Sequence, residues 1–306
     1  MAASDKQSFA DQIRTAEPMA RHTSWRVGGL ADTWFRPATR ADLIEFIQTL
    51  EPDTPLCWVG LGSNLLVRDG GIRGVVIAVQ DALGGIENLG TGRIAAGAGV
   101  ACTVFARHCV RQNLGPAEFF AGIPGTIGGA LAMNAGAFGG ETWEQVESVD
   151  VVDRQGKVRT RTPADYTVGY RQVDGPVNEW FLGATFVFDE KYDTSMDKVK
   201  ALVNERKEKQ PLGLPSCGSV FRNPPGDHAA RLIDTSGLKG FGIGGAVVSD
   251  KHANFIINKG SASAADIEAL IEHVQAVVRD QHGVDLQPEV HIIGERLSNG
   301  HEGDGR

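Results

Sequence analysis

The chemistry of this chain is concentrated first in residues 116–141, PAEFFAGIPGTIGGALAMNAGAFGGE, where seven glycines fall between Gly122 and Gly140. Because glycine loses more backbone entropy on folding than other residues, such density is favoured where a backbone must closely approach something else. Thr126 could cap a short helix over residues 129–134, and exposed amides at its start would suit a phosphate or pyrophosphate. A close-packed turn without a ligand is the alternative that this segment leaves open.

The spacing of these glycines excludes two nucleotide-binding motifs. No lysine follows them as a P-loop requires, and their intervals do not match the G-x-G-x-x-G of a dinucleotide-binding turn. A second loop at residues 58–67 has the form strand, G-x-G-S-N, strand, and also offers glycine amides. The two loops could close on one extended anion.

Two segments, GLGSNLL at residues 60–66 and AGIPGTIGGALAMNAGA at residues 121–137, resemble motifs of the UDP-N-acetylenolpyruvoylglucosamine reductase family. The resemblance extends from Thr23 to Gly294 and implies that both loops hold FAD non-covalently. It assigns the following residues to the cofactor: Gly60, Leu61, Gly62, Ser63, Asn64, Leu65, Gly122, Ile123, Pro124, Gly125, Thr126, Gly128, Gly129, Asn134, Gly136 and Ala137.

A dipeptide further along, Tyr170-Arg171, contains a permanent cation whose planar fork can bind a carboxylate through two hydrogen bonds. For a lone arginine, a surface ion pair is the competing interpretation. The dipeptide resembles the Y-R-x-S element of the same family, although Val173 stands where that element has serine. The resemblance makes Arg171 catalytic and places both residues at the substrate.

A candidate proton donor, Ser219, lies in PSCGSVFRNP at residues 215–224. The nucleophile elbow G-x-S-x-G is absent, which argues against a hydrolase, and a serine bonded to backbone is the alternative. The segment resembles the family motif P-S-A/C-G-S-x-F-K/R-N-P, in which this serine gives a proton to the substrate. By motif position, Gly218 and Asn223 are substrate contacts as well.

A carboxylate, Glu289, opens the predicted last strand in LQPEVHIIG at residues 286–294. Such a residue is more often solvated than catalytic. The segment resembles the family's L-x-P-E-V-x-x-x-G, which places Glu289 near the substrate carboxylate, where it would stabilise charge together with Arg171.

The resemblance implies a UDP-N-acetylmuramate dehydrogenase, a flavoenzyme that uses NADPH to reduce UDP-N-acetylglucosamine enolpyruvate to UDP-N-acetylmuramate in peptidoglycan precursor synthesis. Hydride would pass from N5 of the flavin to the substrate, and a proton from Ser219. The short run from Pro224 to Asp234 favours the family form without an extra substrate-capping insertion. A related FAD-dependent sugar or alcohol oxidase and a noncatalytic nucleotide-sugar-binding protein remain open as alternatives.

Composition limits the partners. The 306 residues are 42% apolar and 22% charged with a net charge of −8, and no basic run predicts a nucleic-acid partner. No signal peptide or long apolar stretch is evident, so a cytoplasmic protein without a membrane partner is expected. The four cysteines lack metal-ligand spacing, so no metal is expected. The oligomeric state stays open, a monomer included.

The irregular alternation of strands and helices favours an α+β fold. With the resemblance, it predicts a two-part FAD-binding domain of the vanillyl-alcohol-oxidase (PCMH) type and a C-terminal α+β substrate-binding domain. The expected divisions are residues 1–82 and 83–212 for the FAD-binding subdomains, 213–297 for the substrate domain, whose last strand could return to the first subdomain, and a loose tail at 298–306. The sequence pattern predicts helices over residues 5–17, 41–50, 101–112, 198–209 and 264–282.

Overall fold

The computed structural model describes residues 9–297, and the predictions for residues 5–8 and 298–306 lie outside the described residues. The strands are β1 (Ile13–Pro18), β2 (Leu30–Phe35), β3 (Leu56–Val59), β4 (Leu65–Val67), β5 (Ile72–Ala78), β6 (Ile86–Gly90), β7 (Arg93–Gly97), β8 (Gly136–Ala137), β9 (Gly140–Glu141), β10 (Val146–Asp153), β11 (Val158–Arg161), β12 (Thr167–Gly169), β13 (Gln172–Asp174), β14 (Glu179–Val187), β15 (Gly242–Ile243), β16 (Ala246–Val248), β17 (Ile256–Asn258) and β18 (His291–Ile293). The α-helices are α1 (Arg40–Gln48), α2 (Cys102–Arg111), α3 (Ile127–Met133), α4 (Met196–Lys209), α5 (Ala229–Thr235) and α6 (Ala264–His282). This mixture of elements confirms the predicted α+β class.

The described chain forms two compact units. Unit 1 contains residues 9–14, 34–61 and 76–210. Unit 2 contains residues 15–33, 62–75 and 211–297. A further sheet has four strands in the order β1-β2-β5-β3.

Unit 1 is built on a five-stranded antiparallel sheet of order β11-β10-β14-β7-β6. In its central strand β14, Ala184 lies opposite Ala96 of β7. Phe105 of α2 and Ile127 of α3 are buried in the same apolar core as Phe186 of β14. Because α3 takes part in this core, the glycine-rich segment is anchored to the sheet.

Unit 2 packs its short sheets against the long helix α6. The sheets are β15-β16-β17 and the parallel pair β18-β4, in which His291 lies opposite Leu65. The C-terminal strand thus returns to a strand from the first 82 residues. An early tryptophan, Trp25, is fully buried in this core and donates from Nε1 to Ile256 O of β17 at 2.7 Å.

Local signals explain most helix boundaries. Thr39 caps α1 in a capping box with Asp42, and α6 begins with the same arrangement at Ser263. The predicted helix at residues 5–17 is wrong from residue 13 onward, because Ala10–Gln12 form a short 3₁₀-helix and residues 13–17 belong to β1. Backbone pairing with β2 in the sheet outweighs the weak helical spacing of Phe9 and Ile13 there.

None of the helices within residues 9–297 has both the length and the apolar character needed to cross a membrane. In the same part of the chain, no group of three His, Cys, Asp or Glu side chains is arranged to bind a metal ion. The four cysteines carry free thiols, and burial raises the pKa of Cys57 to about 11.

Candidate active site

The glycine-rich segment folds around the short helix α3 in unit 1. The Thr126 hydroxyl accepts a hydrogen bond from the N–H of Gly129 at 3.4 Å, which confirms the predicted N-cap. The helix begins at Ile127, two residues before the predicted start. It ends at Met133, and its C-cap Asn134 has a left-handed φ of 45°.

The first N–H groups of α3 are engaged by protein carbonyls. Ile127 N–H donates to Val100 O and Gly128 N–H to Ala98 O, each at 2.8 Å. The third N–H bonds the cap hydroxyl, so no donor of the first turn is left for an anion. The prediction of exposed, phosphate-binding amides at this helix start is therefore wrong, because the loop after β7 supplies acceptors for them.

The loop between β3 and β4 carries unbonded backbone N–H groups, the donors that a phosphate group requires. Within residues 9–297, the backbone N–H groups of Gly60, Leu61, Gly62 and Ser63 make no hydrogen bond. The side chain of Leu61 is 44% exposed. Since consecutive free N–H groups can converge on a phosphate, this loop fits the pyrophosphate of the predicted FAD.

The glycines of this loop are also required by packing. A Cβ on Gly60 would lie 2.5 Å from the Thr126 hydroxyl oxygen, so the two predicted cofactor loops touch within unit 1. A Cβ on Gly62, whose φ is 60°, would lie 1.9 Å from His22 O in unit 2. A larger residue would displace the Thr126 side chain at position 60 and the backbone at position 62.

Two adjacent glycines of α3 have different surroundings. A Cβ on Gly128 would lie 2.9 Å from the Ala98 Cβ, whereas a Cβ on Gly129 would find its nearest neighbour, the Thr126 hydroxyl, at 3.8 Å. Gly129 is exposed. An open helical position has no packing reason to be glycine, so the surface over Gly129 fits a flat group lying against the helix.

A two-residue turn between β12 and β13 carries Tyr170 and Arg171 in unit 1. Arg171 has a φ of 57°. Its Nη1 donates to Asn134 O at 3.3 Å and its Nη2 to Gly136 O at 3.0 Å. The predicted cation is thus fixed to the C-terminal end of the glycine-rich helix.

The buried side chain of Asn134 joins that helix end to the hairpin. Its Nδ2 donates to Glu141 Oε2 at 2.7 Å and to Gly169 O at 3.1 Å, while its Oδ1 accepts from Trp143 N–H at 3.1 Å. Both amide hydrogens are used in these bonds. In the described chain, Asn134 therefore positions the segment.

In unit 2, the buried side chain of Asn254 holds the stretch that follows Ser219. Its Oδ1 accepts from Phe221 N–H at 2.9 Å and its Nδ2 donates to Phe221 O at 2.8 Å. Its backbone oxygen accepts from Val220 N–H at 2.9 Å. One residue thus takes the place of a neighbouring strand along this edge.

The segment containing Glu289 pairs with the other edge of the same stretch. Glu289 N–H donates to Val220 O at 2.7 Å, and Arg222 N–H donates to Gln287 O at 2.9 Å. These bonds fix the backbones that carry Ser219 and Glu289 beside each other within unit 2.

The G-S-N-L loop joins this pair through Asn64. The Asn64 side chain donates from Nδ2 to Glu289 O at 3.0 Å. The structure therefore connects three segments of unit 2 that the sequence presents separately, residues 62–65, 217–222 and 287–291.

The side chains of the Ser219 stretch have few partners, in contrast to its backbone. The partly buried Ser219 hydroxyl makes no hydrogen bond within residues 9–297, and Gly218 faces open space. The Nε of Arg222 is buried and also without a partner in that range. Asn223 Oδ1 accepts from Ala229 N–H at 3.1 Å at the start of α5, which leaves its Nδ2 for a substrate contact.

Two polar residues, Asn254 and Arg222, were not predicted as part of the site. Arg222 lies inside the PSCGSVFRNP motif, where an arginine between an apolar residue and Asn-Pro was a usable signal. Asn254 stands alone in the run HANFII. Its role depends on which backbone the fold brings beside it, and local spacing does not contain that information.

Two family models match this chain. The FAD binding domain matches residues 31–161, and the UDP-N-acetylenolpyruvoylglucosamine reductase C-terminal domain matches residues 210–293.

Curated relatives match nearly the full length. The UDP-N-acetylenolpyruvoylglucosamine reductase of Alkalilimnicola ehrlichii is 57% identical over 97% of this chain and 100% of its own length. That of Methylococcus capsulatus is 54% identical over 91% of this chain and 92% of its own length. Among solved structures, the UDP-N-acetylenolpyruvylglucosamine reductase of Thermus caldophilus superposes with a TM-score of 0.76 at 31% identity, covering 90% of this chain and 97% of its own.

Proposed function

The chain belongs to the UDP-N-acetylenolpyruvoylglucosamine reductase family, and we propose that it reduces UDP-N-acetylglucosamine enolpyruvate to UDP-N-acetylmuramate with FAD as cofactor and NADPH as donor. It is accordingly an FAD-dependent oxidoreductase of peptidoglycan precursor synthesis. When bound, FAD would supply the means of hydride transfer from NADPH to the methylene carbon of the enolpyruvyl ether. Residues of this chain must hold the cofactor, stabilise the charge that develops on the substrate and donate the proton.

FAD is held by the two glycine loops in this proposal. The free N–H groups of residues 60–63 support the assignment of the pyrophosphate to the first loop. The open surface over Gly129 supports the assignment of a flat ring to the second. Asn134 contributes by positioning the segment and Arg171, since its amide hydrogens are already bonded.

Arg171 and Glu289 act on the substrate carboxylate, where negative charge develops as the hydride adds. Arg171 supplies a permanent cation whose direction is set before substrate arrives by its bonds to Asn134 O and Gly136 O. Preorganised donors of this kind need no rearrangement as charge appears, and losing one typically lowers the rate by about 10²–10³-fold. Tyr170, whose ring lies 5.1 Å from the Arg171 guanidinium, contributes to the substrate contact.

Ser219 donates the proton that completes the reduction. The hydride converts the methylene carbon into a methyl group, and the adjacent carbon then takes a proton from the Ser219 hydroxyl. The backbone around Ser219 is held from both edges, by Asn254 and by the Glu289 segment. A hydroxyl that is placed rigidly and has no protein partner within residues 9–297 is free to meet the substrate.

The observation that carries the proposal is the direct bonding of three motif segments in unit 2. A noncatalytic protein would have no need to fix an unpartnered serine beside a carboxylate segment and the G-S-N-L loop. We propose residues 1–82 and 83–212 as the FAD-binding subdomains and 213–297 as the substrate domain, in an enzyme that works in the cytoplasm, where NADPH is supplied. Because α5 already starts at Ala229, soon after Pro224, we propose the family form without an extra substrate-capping insertion.

The visible spectrum of the purified protein tests this proposal. Under anaerobic conditions, flavin absorption should bleach on addition of NADPH and return only when the enolpyruvyl nucleotide sugar is added. Absorption that returns with oxygen and an alcohol, but not with this acceptor, would support an oxidase. A protein that cannot be loaded with FAD would contradict the assignment of both loops.

A further inference from the structure

The guanidinium of Arg222 is an unpaired charge in an otherwise paired stretch of unit 2. Its Nε is buried without a partner, and no hydrogen bond or ion pair of this guanidinium occurs within residues 9–297. Arg222 as a whole is partly buried, and a buried guanidinium nitrogen is normally paired. Most other arginines described in unit 2 do have one, as Arg68 bonds Glu268 and Arg231 bonds Asp227.

The position of this charge is fixed by its backbone. Arg222 N–H is bonded to Gln287 O, and the preceding residue is held by the Asn254 side chain. Partial burial and then the Arg222 charge lower the pKa of His291, which places the guanidinium beside the strand that follows Glu289. Three residues of separation along a rigid stretch set Arg222 at a defined distance from Ser219.

A buried polar group without a partner in the free protein calls for a ligand that supplies one. The forked donors of arginine match phosphate oxygens in two parallel hydrogen bonds. In a chain with a net charge of −8, such a cation has to be placed locally if an anionic ligand is to bind.

We propose that Arg222 binds the diphosphate of the nucleotide-sugar acceptor and selects for it. This rests on the proposed function, in which Arg171 and Glu289 already account for the substrate carboxylate. The diphosphate is then the anionic group of the acceptor that still lacks a cation. Arg222 acts in binding and takes no part in hydride or proton transfer.

The test compares Arg222→Met and Arg222→Lys with a matched control, Arg231→Met, in the FAD-loaded enzyme. Arg231 lies on α5 in the same unit, exposed and paired with Asp227. UDP and inorganic pyrophosphate are the probes, measured by calorimetry and by the rise in melting temperature that each ligand causes. The KM of the acceptor and the KM of NADPH are determined separately.

For Arg222→Met we expect UDP affinity to fall and the acceptor KM to rise by about 10–100-fold, with kcat changed far less. Its melting temperature without ligand should equal or exceed that of the wild type, because a partly buried charge without a protein partner has been removed. The UDP affinity and acceptor KM of Arg222→Lys should lie between those of the wild type and Arg222→Met. Arg231→Met should bind UDP as the wild type does.

Unchanged UDP binding and acceptor KM in Arg222→Met would overturn the proposal. So would a marked loss of melting temperature without ligand in both Arg222 variants, which would make the guanidinium structural. If only the KM of NADPH rises in Arg222→Met, the cation binds the diphosphate of the donor, and this result also contradicts the proposal. If the wild type binds UDP but never reduces the acceptor, the proposed function fails while the binding result for Arg222 stands.

Discussion

The hydroxyl of Ser219 has a chemical task that its surroundings make testable. It lies on a backbone held from both edges and makes no hydrogen bond within residues 9–297. We expect Ser219→Ala to lower the rate of flavin reoxidation by the acceptor by about 10²–10⁴-fold, the usual contribution of a general acid. Flavin reduction by NADPH should be unaffected, and stopped-flow absorbance separates the two half-reactions.

The chain offers a matched control three residues earlier. Ser216 donates to Leu214 O at 3.4 Å, and Ser216→Ala removes a hydroxyl from the same segment. Equal losses in the two variants would mean that the segment, and not the Ser219 proton, limits the rate.

A second residue, Asn134, combines a left-handed backbone with a fully bonded side chain. Asn134→Ala should lower the free energy of unfolding by about 1–3 kcal/mol more than Asn113→Ala, because it leaves the buried N–H of Trp143 without its hydrogen bond. Asn113 is the control, since it also has a positive φ, 58°, but is exposed. Urea unfolding measures both, and equal losses would show that backbone conformation alone requires asparagine at position 134.

The helix α3 is an element in which one substitution should separate stability from cofactor binding. Gly129→Ala places a methyl group in open space on a helix, so we expect the FAD-free protein to gain about 0.5–1 kcal/mol of stability. FAD affinity should fall if a flat group lies over that position. Denaturation of the FAD-free protein and titration with FAD by fluorescence give the two quantities.

The neighbouring glycine serves as the control. Gly128→Ala should be destabilising, because its Cβ would lie 2.9 Å from the Ala98 Cβ. If the Gly129→Ala variant is more stable and still binds FAD as tightly as the wild type, the proposal that a flat group of FAD lies over this helix surface is contradicted.

Elements with strong local signals could be predicted from the sequence. α6 occupies the predicted residues 264–282, and the apolar stripe that includes Ile267 and Leu270 is buried. The strand β1 could not be predicted, because its conformation comes from pairing with β2, a partner seventeen or so residues away in the chain, and not from its own spacing.

The same distinction applies to the site. The motif positions of Arg171, Ser219 and Glu289 can be read directly from the sequence, and their catalytic roles stay predictions. The bonding of Asn254 to Phe221, and of α3 amides to the loop after β7, depends on contacts between distant segments. Local spacing can therefore suggest which side chains react, but not which backbone groups remain free.

At the scale of the whole molecule, acid changes two opposing contributions to stability. As the pH falls to the sequence pI of about 5.5, the net charge rises from −8 toward zero, and this relieves the repulsion between negative charges. Against it, burial and then the charge of Lys239 lower the pKa of His252, whose Nδ1 is buried without a partner in the described chain. The folded state thus prefers neutral His252.

A histidine with a lowered folded pKa contributes stability that is fully present above its unfolded pKa of about 6.5 and is lost as pH falls toward the folded value, since the unfolded chain then binds more protons. We expect the urea midpoint of the wild type to fall more steeply between about pH 7 and pH 5.5 than that of His252→Gln. Because both proteins share every other titratable group, the difference between their slopes isolates the contribution of the His252 imidazole. Parallel slopes for the wild type and His252→Gln would show that the acid response of the folded chain in this pH range does not come from the His252 imidazole.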